Sequence, residues 1–174
     1  MSAFSNANWG NSPENGRSMA SCVVFLSNAL VGFKVGLQGL TAQSTMEAAL
    51  MTTALAMKEA VFCSNMMKEL GFITRFDSVL VYIDNTSDLK ELGFITRFDS
   101  VLVYIDNTSA LHVAGNRTYS LRVKHLALRY FFIQALIMEG RIIIHYVKTE
   151  DQLADLGTEH LTKQRQRHLL KLIR

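Results

Sequence analysis

The sequence predicts an α/β fold built on a mixed sheet, and three observations lead there. Two apolar runs near the N-terminus, Ser21–Ser27 and Leu30–Leu37, flank a tight polar turn. A long stretch, Ser44–Leu70, repeats apolar residues at helical spacing. Two later apolar runs, Val101–Ile105 and Ile142–Val147, stand between helical segments. The order is three strands, a helix, a strand, helices, a strand and a helix. Alternation of this kind places helices against a sheet that mixes antiparallel and parallel pairs.

The elements follow from period and punctuation. Ala3–Trp9 is a short extended segment, closed by the turn-rich Gly10–Gly16. Asn28-Ala29 is the expected turn between the next two strands. In Ser44–Leu70, Met46, Leu50, Ala54, Met57 and Val61 share one face. Ser44-Thr45-Met46-Glu47 has the form of a capping box, and Gly71 can end the helix. Val79–Ile83 and Val101–Ile105 both read VLVYI, a continuous apolar run suited to a strand covered on both faces. Asn107–Val113 is a short helix stopped near Gly115, and Arg122–Glu139 is a helix stopped by Gly140. Glu150–Leu156 is expected as a short helix and Leu161–Ile173 as a basic one.

Composition narrows the class. The chain has 174 residues, 49% of them hydrophobic and 19% charged, which excludes a disordered chain and fits one domain spanning 1–174. Its two cysteines, Cys22 and Cys63, form no metal-ligand spacing, which excludes a disulfide scaffold and a structural zinc site. The uncharged run Ser18–Phe33 is too short and too interrupted by Ser21, Ser27 and Asn28 to span a membrane. A soluble protein of a reducing compartment is expected. Net charge is +3, with basic residues crowded into 158–174, where Lys163, Arg165, Arg167, Lys171 and Arg174 face one acid, Glu159. That balance is compatible with an anionic partner.

The largest organisational feature is an exact repeat. Lys68–Ser87 and Lys90–Ser109 both read KELGFITRFDSVLVYIDNTS. Two identical copies mark a tandem duplication of 68–89 or 90–109, not a solenoid. One copy is surplus to the fold, and its spare VLVYI is an aggregation-prone segment.

Six ordered stretches carry a family resemblance: FSNANW (4–9), RSMASCVVFL (17–26), AQSTMEA (42–48), VYIDNTSAL (103–111), RVKHLALRYFFI (122–133) and YVKTEDQLADLGT (146–158). Together they resemble the RNase H domain of copia-type LTR retrotransposon Pol polyproteins. The resemblance implies a ribonuclease-H-like fold with a five-stranded mixed sheet and flanking helices, its first strand truncated here and its fourth duplicated. It implies hydrolysis of the RNA strand of an RNA–DNA hybrid with two Mg²⁺ ions, or Mn²⁺ in their place. Such ions take oxygen ligands, which explains a cluster of carboxylates.

The same resemblance places the site. Its four acidic positions fall on Asn6, Glu47, the Asp of the repeated Asp-Asn pair (Asp106, with Asp84 the alternative) and Asp155. Glu47, Asp106 and Asp155 are the implied metal ligands. Asn6 departs from the pattern, because an amide offers one neutral oxygen where a bridging anion is needed. A loss of about a thousandfold or more in activity is expected, each tenfold being about 1.4 kcal/mol. Asn8 and Ala49 also stand where the family has acids, and Glu159 where it has a lysine. Taken singly, Glu47 reads as a capping residue, Asp155 as a solvated helix residue and Asp106-Asn107 as a strand-end turn. Use of the second copy keeps Asp106 joined to its own helix, which favours it over Asp84.

Arg122, Lys124, His125 and Arg129 form a basic cluster beside Tyr130, Phe131 and Phe132, suited to phosphate contacts or to a solvated face. The implied partners are an RNA–DNA hybrid or other nucleic acid and the reverse transcriptase domain of the same polyprotein. No membrane and no small-molecule cofactor are expected. The implied location is a retroelement particle in the cytoplasm, or the nucleus. A non-catalytic nucleic-acid-binding module and a non-functional remnant are the rival readings.

Overall fold

The computed structural model describes residues 1–72, 101–115 and 127–173. Five strands form one sheet: β1 (Ser2–Asn8), β2 (Met19–Leu26), β3 (Ala29–Leu37), β4 (Val101–Ile105) and β5 (Ile142–Tyr146). Their order is β3-β2-β1-β4-β5. β2 runs antiparallel to both β1 and β3, while β4 runs parallel to both β1 and β5. Among the described residues four α-helices accompany the sheet: α1 (Thr45–Glu69), α2 (Thr108–Gly115), α3 (Ala127–Met138) and α4 (Lys163–Leu172).

β1 is central, and its period of two sorts its side chains between two faces. Ala3 and Ser5 are buried toward α1, where the Ser5 and Thr53 hydroxyls lie 3.4 Å apart. Phe4 points to the other face, stacked on Tyr104 at 4.2 Å and edge-on to Phe25. The truncation expected for this strand leaves no gap along β2, since every residue from Met19 to Phe25 has a β1 partner. The Leu102 amide is met by the Met1 carbonyl.

The strand beside β1 is Val101–Ile105, from the second copy of the repeat, and all five of its residues are buried. Val101, Val103 and Ile105 join the main core under α1. Leu102 and Tyr104 pack on the opposite face with Val147. The first copy's Val79–Ile83 lies outside the described residues.

α1 starts and stops on local chemistry. The Ser44 hydroxyl accepts from the Glu47 amide at its N-cap. At the C-terminal end Gly71 adopts φ +75, with its amide bonded to Lys68 O and that of Phe72 to Met67 O. These paired bonds are a Schellman motif, whose left-handed residue favours glycine. Ala56, Met57 and Ala60 are fully buried against the sheet, the two alanines allowing close approach. Cys22 and Cys63 are buried free thiols, and burial pushes the Cys22 thiol up to about 11.

Strand ends move by one or two residues from the sequence expectation, and three larger departures have a local cause. The β2–β3 turn centres on Ser27-Asn28, both at positive φ, because Leu26 pairs with Ala29 and the hairpin twist needs that turn geometry. Glu150–Leu156 is not one helix but two short 3-10 helices, Thr149–Asp151 and Leu153–Gly157. Gln152 divides them with extended backbone (ψ 99), and its side chain caps the second by accepting from the Ala154 amide. Within 158–174, the helix begins only at Lys163, because the Thr162 hydroxyl caps it by accepting from the Arg165 amide.

Candidate active site

Two residues beyond the last β1–β4 pair, Phe4↔Tyr104, come Asn6 and Asp106. Alternation carries both to the face opposite α1. There the second 3-10 helix lies against β1 and β2 and brings Asp155 to them. Its close approach depends on Gly157, where an added Cβ would lie 2.5 Å from Ser21 Oγ and from Val35 Cγ2.

Asp155 is fully buried. Its Oδ1 accepts from the Asn6 amide at 2.5 Å, and its Oδ2 accepts from the Arg165 guanidinium. Asn6 Nδ2 also donates to Thr158 Oγ1 at 3.2 Å, and its Oδ1 accepts from the Ala7 amide. Asn8 Nδ2 donates to the Thr158 carbonyl at 3.1 Å. Both asparagines therefore act as donors, a role no ionised carboxylate can fill.

Burial raises the Asp155 carboxyl to about 7, with the Glu159 and Asp106 charges adding to the shift. The Arg165 charge and the Asn6 hydrogen bond oppose it. Asp106 is raised in the same direction, again chiefly by burial, against a hydrogen bond from Gln152.

Glu47 is held at the start of α1. It is buried there, and its Oε2 accepts from the Gln43 amide at 2.8 Å while its own amide donates to Ser44 Oγ. That is the capping arrangement its sequence context suggested. Among the described residues, no three His, Cys, Asp or Glu side chains converge to hold a metal ion together. Asp84, Arg122, Lys124 and His125 lie outside the described residues. Arg129 lines a separate cleft of about 570 Å³ between β3, α1 and α3, with Lys34, Lys58, Leu128 and Phe132.

Three residues that sequence reasoning missed complete the cluster. Gln152, fully buried, donates to the Ser5 carbonyl and accepts from the Ala154 amide, tying β1 to the 3-10 segment. Thr158 receives Asn6. Arg165 supplies the cation. Arg165 was detectable in principle, since a cation in the first turn of a helix opposes the helix dipole and calls for an anion nearby.

The architecture defines the fold class: this is a ribonuclease-H-like fold. The chain aligns with the N-terminal RNase H domain of rv2228c from Mycobacterium tuberculosis at TM-score 0.56, covering 98% of this chain and 95% of that one at 11% identity. It aligns with LC11-RNase H1, isolated from compost by a metagenomic approach, at TM-score 0.57, with 89% of each chain covered and 11% identity. In sequence it is 24% identical over 163 residues to the retrovirus-related Pol polyprotein from transposon RE2 of Arabidopsis thaliana. The corresponding polyprotein from transposon RE1 matches at 24% over 164 residues, and each match covers 94% of this chain. No family model matches. The chain has a ribonuclease-H-like fold and is similar in sequence to retrotransposon Pol polyproteins, and it spans about a tenth of the length of these curated relatives. No helix among the described residues is long and apolar enough to cross a membrane.

Proposed function

We propose that the chain descends from the RNase H domain of a copia-type Pol polyprotein, a two-metal nuclease for the RNA strand of RNA–DNA hybrids, and has lost most of that activity. The observation that carries the reading is the direction of the Asn6–Asp155 hydrogen bond. A magnesium pair supplies an activated water and a stabilised leaving oxygen, and needs converging oxygen anions to hold it. The residues here do not fit that requirement. Asp106 and Asp155 are present, but Asn6 turns an N–H toward Asp155 rather than an oxygen toward a shared ion. Glu47 Oε2 accepts from the Gln43 amide ahead of α1, and Arg165 brings a positive charge into the cluster.

The test is cleavage of an RNA–DNA hybrid in Mg²⁺ and in Mn²⁺ by the unaltered chain and by Asn6→Asp. The variant is expected to gain activity over a parent that is about a thousandfold or more below an intact nuclease. Efficient cleavage by the unaltered chain refutes the reading.

A binding role without cleavage has its own support. Lys163, Arg167 and Lys171 recur every fourth residue on the exposed side of α4, about 6 Å apart along the helix axis. Such a stripe can follow a phosphate backbone. Three phosphate contacts give a slope of about −2.7 in log affinity against log salt on duplex DNA. Binding to hybrid no stronger than that of a neutral control protein rules this role out.

A further inference from the structure

The first turn of α4 holds an arginine where the helix dipole favours an acid. Thr162 is the N-cap, and Arg165 takes the third helical position, the place of the acidic partner in a capping box. A cation placed there works against the helix dipole. Its neighbours offset that. One guanidinium nitrogen, Nη2, donates to Asp155 Oδ2 and to the Thr149 carbonyl, and Nη1 lies 3.9 Å from Glu159 Oε2. The side chain is 30% exposed, while the carboxylate it meets is fully buried.

Both oxygens of Asp155 are thus occupied by donors of the same chain, Asn6 on one and Arg165 on the other. A guanidinium has no acceptor and keeps its charge at every physiological pH. It can neither ligate a divalent ion nor step aside by losing a proton. An ion approaching Asp155 must displace it and leave it unpaired against the helix dipole.

We propose that Arg165 is a built-in cation that competes with divalent metal for Asp155, so that restoring an anion at position 6 recovers metal binding only in part. The proposal rests on the reading of this cluster as a former metal site. Its structural counterpart is that the Arg165–Asp155 pair fastens α4 to the 3-10 segment. Leu169, fully buried with Val23, Phe25, Leu153 and Ala154, packs the same junction.

The experiment is Mn²⁺ binding to the full chain without nucleic acid, read by the paramagnetic resonance signal of free Mn²⁺. It compares wild type, Arg165→Gln, Asn6→Asp and the double variant, with folding checked by circular dichroism. Arg165→Gln is expected to tighten Mn²⁺ binding about tenfold or more in both backgrounds. Arg165→Lys, which keeps the charge, is expected to bind Mn²⁺ as weakly as wild type. Unchanged Mn²⁺ affinity on loss of Arg165 overturns the proposal, and so does tightening by the lysine variant. If Arg165→Gln does not fold, the wild type decides: its melting temperature is expected not to move on adding Mn²⁺, and a rise overturns the proposal. Tighter binding to Asn6→Asp but not to the Arg165 variants sinks this inference and leaves the reading of Asn6 standing. Tighter binding to the double variant without hybrid cleavage does the reverse.

Discussion

Replacing Asn6 by aspartate tests the site through stability, without any substrate. In the folded chain the Asn6 amide donates to the buried Asp155 carboxylate and to Thr158. The aspartate loses both donations. A hydrogen bond to a charged group contributes about 1.5–3 kcal/mol, and a neutral one about 0.5–1.5. The substitution also sets a second carboxylate against the first, and two such groups cannot both ionise at low cost. The pair then holds a proton in the folded state that the unfolded chain releases. Its folded-state pKa lies above the unfolded value, so stability is lost as pH rises through it. At pH 8 without metal the cost is about 3 kcal/mol, and at pH 5 it is smaller because a shared proton restores one bond. For a chain of this size about 3 kcal/mol lowers the melting temperature by roughly 6–12 °C. The assay is thermal unfolding by circular dichroism in chelator at both pH values. A variant as stable as its parent at pH 8, or a loss that does not change with pH, refutes the argument from hydrogen-bond direction.

Two further outcomes follow from the same geometry. Gly157→Ala places a methyl group 2.5 Å from Ser21 Oγ and Val35 Cγ2. It should destabilise by about 1–3 kcal/mol, seen as a melting temperature lower by roughly 2–12 °C; an unchanged melting temperature would show that the 3-10 segment shifts freely. The unaltered chain should lose stability between about pH 4 and pH 7, because the folded-state pKa of Asp155 is raised from 3.8 to about 7 and Asp106 is raised with it. That contribution is fully present below the unfolded value and gone above about 7. Denaturant titrations across this range should show Asp155→Asn with a flatter profile than the parent; equal slopes would remove Asp155 as the cause.

Much of the scaffold was legible because its signals are local. The capping serine and the closing Gly71 bracket α1 within a residue of the observed Thr45–Glu69. The continuous VLVYI run correctly indicated a strand covered on both faces. The segment 149–157 was misread as one helix because its break depends on Gln152, whose side chain bonds a carbonyl on β1 far away in sequence. The site was only half legible. The motif order pointed to Asn6, Asp106 and Asp155, which do meet on one face. The same order grouped Glu47 with them, yet its Oε2 accepts from the Gln43 amide ahead of α1.

The sequence by itself determined the periods, the caps and the presence of an amide where an acid is usual. These act within a turn of helix or along one strand, so the residues alone express them. Tertiary structure decided that the second copy of the repeat fills the sheet. It also decided which partners the amide finds. Asn6 and Asp155 are 149 positions apart, and Arg165 comes from yet another element. Their meeting depends on the register of β1 between β2 and β4 and on a glycine that lets a short helix approach the sheet. Neither the partner nor the direction of that hydrogen bond is encoded in any local pattern, because both follow from where separate elements pack.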